Sequence, residues 1–237
     1  MRSNFKMLRG EVMSKLEKIQ RYVFMAAIAA CIYQIWNTLG VYLITDAVGI
    51  EPSESAADRV VGAISNVDES NVAVGVSLLA VYVLYAVATY GLYKKAESKI
   101  HDFKLMIPKS VKSAVWSWFI PFGLLYLPRR RLKELEAILI LNQPSGFISG
   151  LGRGIGKTRD FWWFGSIGSL IIGRAENPIL ADIADPKDWS SFLSSINYYA
   201  LVIALEAVSL IISYVFGIRY FRELFRMEEL LEDIAQP

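Results

Sequence analysis

Apolar positions in this chain come in long blocks, and charged stretches divide the blocks. Residues 22–45 form the first and carry no charge, residues 71–93 form the second, and residues 195–217 form a third with one acidic residue, Glu206, near its centre. About 20 apolar residues are needed to cross about 30 Å of hydrocarbon, so each block predicts a membrane span. Backbone polar groups have no partner in lipid except one another, which makes each span a helix despite the valines and tyrosines of the second block. Two shorter blocks remain. Phe161–Gly173 is led by Trp162-Trp163 and ends at Arg174; extended through Thr158 it predicts a fourth span over 158–174. Residues 114–127 are interrupted by Pro121 and stopped by Pro128, and proline breaks the helical hydrogen-bond ladder.

The charges between the blocks orient them. Arg2, Lys6, Arg9, Lys15, Lys18 and Arg21 precede the first block, and Lys94, Lys95, Lys99, Lys104, Lys109 and Lys112 follow the second. Between these two blocks the loop from Asp46 to Asn71 is acidic, with Glu51, Glu54, Asp58, Asp68 and Glu69 against Arg59. Basic loops stay cytoplasmic, so the N-terminus and the segment from Lys94 face the cytoplasm. If 114–127 crossed fully, Arg129, Arg130, Arg131 and Lys133 would stand outside, on the wrong side. A re-entrant or surface-lying element over 114–128 keeps both its flanks inside. The block 158–174 then carries Glu176, Asp182, Asp185 and Asp188 outward, and the last span returns Arg219, Arg222 and Arg226 to the cytoplasm. The competing arrangement has five spans and an external C-terminus.

The expected fold is therefore all-α: a polytopic membrane helical bundle of four transmembrane helices with a Trp/Pro element and amphipathic cytoplasmic helices. Residues 1–21 read as a cytoplasmic amphipathic lead-in, with Val12, Leu16 and Ile19 at helical spacing. Residues 22–217 form the membrane domain and 218–237 a cytoplasmic C-terminal helix. Leu132–Leu141 reads as a second amphipathic helix, and Asn142–Arg159 as a loop rich in Gly and Ser.

Composition adds limits. The chain has 237 residues, 54% hydrophobic, with net charge +2, so the total charge gives no reason to expect nucleic acid. Cys31 is the only cysteine, which excludes an intrachain disulfide. Ile28-Ala29-Ala30-Cys31 matches a short lipobox, but the apolar block continues past Cys31, as expected of small residues inside a helix. The long basic N-terminus lacks the form of a cleaved signal peptide.

Trp116-Ser117-Trp118-Phe119-Ile120-Pro121, followed by Pro128 and by Phe161-Trp162-Trp163-Phe164, resembles domain-of-unknown-function family 4328, small polytopic prokaryotic membrane proteins. The resemblance covers roughly Tyr22 to Arg222. It implies two N-terminal spans, a tryptophan-rich "GWFIP…NL…PY" element, a basic helix, a double-tryptophan span and a final span. Ser117 stands at the family's glycine, Leu124 at its asparagine and Arg129 at its tyrosine, so the polar signature is weakened. The resemblance implies a topology and supplies no mechanism.

Candidate sites follow from chemistry placed in lipid. Glu206 is an intramembrane carboxyl, a costly group that normally faces a bundle or a wet cavity. Gln34 and Asn37 lie at similar depth, one turn apart, and with Glu206 form a possible intramembrane polar site for a proton or ion; a structural interhelix hydrogen bond is the plainer alternative. Trp116, Trp118, Arg129, Arg130 and Arg131 are expected at anionic lipid headgroups on the cytoplasmic face. Gly165, Ser169 and Gly173 recur every four residues and are expected to pack helices closely. Gly156-Lys157-Thr158 matches only the end of a phosphate loop, without its first glycine or a preceding strand. His101 lacks partners for a zinc site. Asp182, Asp185 and Asp188, spaced by three, read as a solvated acidic loop.

No cofactor, metal or catalytic constellation is expected. The function expected is a non-enzymatic membrane component that packs against protein partners or lipid, as a homo-oligomer or in a hetero-complex. The alternative is a small transporter or channel built around Glu206, Gln34 and Asn37.

Overall fold

The structure is a computed structural model. It describes residues 2–48, 53–100, 103–107, 111–120, 126–143 and 148–234, with side chains from residue 20 onward except at 104–105, 148–153 and 232–234. Pro121, Leu124 and His101 lie outside the described residues. All regular structure among the described residues is helical. In chain order the helices are α1 (Arg2–Val48), α2 (Glu54–Lys99), α3 (Phe103–Met106), α4 (Val111–Trp116), α5 (Leu127–Leu141), α6 (Ile148–Gly173), α7 (Glu176–Ala184) and α8 (Trp189–Ile234). Among the described residues three stretches are long and apolar enough to cross a membrane: Gln20–Val48, Glu54–Lys99 and Trp189–Leu231.

The chain divides into two compact units, Met1–Val81 with Ser169–Ile211 and Tyr82–Gly168 with Ile212–Pro237. In the first unit α1 buries one seam, Phe24, Ala27, Cys31, Gln34, Thr38, Val41 and Thr45, spaced alternately by three and four residues. That spacing keeps a single helix face toward its neighbours. Gln34 pairs with Asn71 and Asn37 with Asn66, so α1 and α2 run antiparallel. Tyr42 pairs with Asn197, and Tyr199 with Asp68, which sets this part of α8 antiparallel to α1 and parallel to α2. Val41, Val60, Ala63, Val67, Ile179, Ile196, Tyr199 and Ile203 form the core there.

The second unit is built on aromatic rings. Tyr85 stacks on Phe221 at 4.9 Å between centroids, and Trp162 stacks on Tyr220 at 5.6 Å. Trp118 adds a ring 5.9 Å from Trp162. α4 packs against α5. Pro128 lies in the first turn of α5, where its missing N–H leaves no bond unmade.

Several expected loops are helix. The acidic stretch after Asp46 becomes helical at Glu54, because Ala56, Val60, Ala63 and Val67 repeat at helical spacing and are buried, while Glu54, Asp58 and Glu69 face outward. The glycine-rich stretch ending at Arg159 is helical from Ile148, giving α6 26 residues, or about 39 Å. Ile155 and Arg159 are buried, and this tertiary burial offsets the weak helix propensity of the glycines. The lead-in before residue 22 and the segment after residue 217 continue α1 and α8 without a break.

Candidate functional site

The polar residues of the first unit lie along the seams of α1, α2 and α8. Gln34 is fully buried, its Nε2 donates to Asn71 Oδ1 at 3.1 Å, and its Oε1 meets no donor. Asn37 Nδ2 donates to the Asn66 carbonyl at 3.1 Å. Toward the same end of α1, Thr45 Oγ1 bonds Asn197 Oδ1 at 2.7 Å and the Tyr42 hydroxyl donates to the Asn197 carbonyl at 2.7 Å. The Tyr199 hydroxyl reaches Asp68 Oδ1 at 3.0 Å.

Glu206 occupies a different place. Its Oε1 would lie 3.1 Å from a Cβ built on Gly173, the last residue of α6. Its carboxyl neighbour is Glu176, the first residue of α7, and Cys31 is the α1 group within its field. The hydrogen bonds of Gln34 and Asn37 go to α2, so the three residues grouped by depth in the sequence have separate partners. Glu206 lies centrally within residues 195–217, yet it faces the end of α6 and not the middle of residues 158–174.

The small-residue stripe is inward. Gly165 and Ser169 are buried, and Gly173 leaves the space that Glu206 fills. Beside the stripe, the Ser166 and Ser213 hydroxyls meet at 2.6 Å.

The Trp/Arg group divides between surface and interior. Trp116 is 64% exposed, whereas Trp118 is 4% exposed and donates from Nε1 to Thr89 Oγ1 at 3.2 Å. Arg130 is exposed and paired with Glu134 at 3.1 Å. Arg129 Nη2 bonds Asp160 Oδ1 at 2.8 Å, and Arg131, 5% exposed, bonds Glu134 at 2.8 Å. Trp118 and Arg131 thus point into the protein and not outward, because Thr89 and Glu134 supply their polar partners.

Sequence reasoning missed the buried charges of the second unit. Glu136 Oε2 accepts from Arg159 Nη1 at 2.8 Å and from the Tyr220 hydroxyl at 3.0 Å. Glu228 accepts from Lys95 at 3.0 Å and from Lys99. The signal was present: Glu136 lies within the stripe Leu132, Leu135, Leu139, all fully buried, and a carboxylate inside such a stripe requires a cation or donors. Among the described residues no group of three or more His, Cys, Asp or Glu side chains is arranged to hold a metal ion.

One open cleft of about 370 Å³ lies between α1 and α2, lined by Trp36, Asn37, Gly40, Ile44, Arg59, Gly62, Ala63 and Asn66. No protein-family model matches the chain, and neither does any curated protein or solved structure.

Proposed function

We propose that the chain is a non-catalytic component of the cell membrane that packs against protein partners and lipid, with four spans and both termini in the cytoplasm. The observation that carries this reading is the outward face of α1. One seam is buried, while Tyr22, Met25, Ile32, Tyr33, Trp36, Leu39 and Leu43 are all more than half exposed. An apolar face of that breadth belongs against lipid tails or another membrane helix. In this reading α6 is the fourth span, supported by its 26 residues. The element over 114–128 stays on the cytoplasmic side, as the basic residues flanking it require. The resemblance to domain-of-unknown-function family 4328 implies the same order of elements. Of the Trp/Arg group, Trp116 and Arg130 are exposed, and in this reading they meet anionic headgroups. The mass of the gently extracted complex tests the reading: a homo-oligomer or a co-purifying membrane protein supports it, and a monomer that retains no protein or lipid overturns it.

A second reading, a small transporter or channel, draws on the unmatched Gln34 Oε1 and the partly exposed Glu206. It requires a symmetric oligomer with Glu206 toward its axis, because so few spans enclose no lined pathway alone. Flux through reconstituted protein, abolished in Glu206→Gln with the oligomer intact, would establish it.

A further inference from the structure

The cleft between α1 and α2 has the chemistry of an amphiphile site. Its walls pair off along the antiparallel helices: Ile44 with Arg59, Gly40 with Gly62 and Ala63, Asn37 with Asn66. From Asn37 to Ile44 is seven residues, a length of about 10 Å. A Cβ added at Gly40 or Gly62 would meet nothing within 4 Å, so both glycines border open space and do not serve close packing.

The two ends of the cleft carry unused polar groups. No hydrogen bond or ion pair ties Arg59 to another described residue. It is the one basic residue among Glu51, Glu54, Asp58, Asp68 and Glu69. At the other end Asn37 is engaged with the Asn66 carbonyl, which leaves the Asn66 side-chain amide available. Asp58 is exposed, directly precedes Arg59 and stands one helical turn before Gly62.

Arg59 stands against Ile44, one residue short of the end of the apolar block 22–45, so this end of the cleft is at headgroup depth and the cleft runs from it toward Trp36. The apolar run of α2 begins at Asn71, opposite Gln34, so residues 36–44 of α1 lie beside the polar half of α2. Trp36, 72% exposed, stands at the other end of the cleft, within the apolar block.

We propose that this cleft binds the headgroup of a zwitterionic phospholipid, its phosphate on Arg59 and its ammonium at Asp58. Guanidinium grips phosphate through a planar fork, and the neighbouring carboxylate selects a headgroup that carries a cation as well. The Asn66 amide faces the ester region, and Gly40 and Trp36 border the upper acyl chain. A second copy of this chain is a poor occupant, because a two-fold contact across the cleft brings two Arg59 side chains together. Placing the site in the outer leaflet rests on the topology proposed above; the binding itself does not.

Native mass spectrometry of the full chain in detergent tests it with phosphatidylethanolamine, phosphatidylglycerol and diacylglycerol of identical acyl chains. Phosphatidylethanolamine binds tightest and diacylglycerol weakest. Arg59→Gln weakens both phospholipids by about tenfold or more, the weight of a lost hydrogen bond to a charged group. Asp58→Asn removes the preference for phosphatidylethanolamine. Gly62→Leu, which has room to fold, blocks binding, and Gly75→Leu, outside the cleft and equally unhindered, does not. Phosphatidylglycerol or diacylglycerol binding as tightly as phosphatidylethanolamine overturns the assignment, as does native-like binding in Arg59→Gln. A Gly62→Leu protein that loses a dimer and keeps its lipid identifies the cleft as a contact between copies and also overturns it. External labelling of Asp58→Cys on whole cells decides the leaflet separately, so failure of the topology and failure of the site are distinct results.

Discussion

Gly217 lies directly against Tyr85: a Cβ at Gly217 would overlap the tyrosine ring and come within 2.9 Å of Trp162 Cδ1. Neither ring can swing aside easily, because Tyr85 is stacked on Phe221 and Trp162 on Tyr220. Gly217→Ala is therefore expected to destabilise the second unit by about 1–3 kcal/mol, the range for overpacking. Gly91→Ala, where a Cβ meets nothing within 4 Å, is expected to cost nothing. Thermal unfolding of both variants in one detergent checks the contrast; equal midpoints would refute it.

Glu136, Arg159 and Tyr220 form a buried trio around one carboxylate. Replacing Glu136 by Leu leaves the guanidinium without its buried counter-ion, at an expected cost of about 3–5 kcal/mol. Replacing Glu136 and Arg159 together by Leu is expected to recover most of that loss. A double variant as unstable as the single one would show that the charge pair is not the cause.

Gln34 is a weaker case. Its one hydrogen bond, to Asn71, is set against an acceptor oxygen that meets no donor. Interhelix hydrogen bonds in membranes average about 0.6 kcal/mol, so Gln34→Leu is expected to unfold within about 1 kcal/mol of the native chain. A stability loss well beyond that, or a loss of flux at unchanged stability, would give Gln34 a larger role.

Topology is open to labelling, since Cys31 is fully buried and leaves a quiet background. Asp58→Cys and Asp185→Cys are expected to react with a membrane-impermeant maleimide on intact cells. Lys157→Cys is expected to react only after permeabilisation. Labelling of Lys157→Cys from outside would sink the four-span arrangement.

The long apolar runs are legible in sequence because lipid imposes length and hydropathy together, and residues 22–45, 71–93 and 195–217 fall inside α1, α2 and α8. The polar extensions of those helices are harder to see. Val60 and Val67 reveal the helix over the acidic stretch only once their spacing is weighed above the charges around them. α6 begins among glycines, where propensity argues against helix and only burial of Ile155 and Arg159 argues for it. Trp118 and Trp116 are two residues apart and face opposite environments, a difference that depends on where α4 ends. Gln34 and Glu206 looked like partners because depth along a helix can be counted, whereas rotation about its axis depends on neighbours that a sequence does not name.

Glu228 joins Lys95 and Lys99 to the far end of the chain, 133 and 129 residues later. A ribosome therefore releases both lysines long before the carboxylate that receives them. During that interval α2 lacks the carboxylate that receives these two ammonium groups, and α8 supplies it. Closure of the second unit therefore waits on the synthesis of α8. A chain cut short before Glu228 would lose this carboxylate, and with it the tie between α2 and α8.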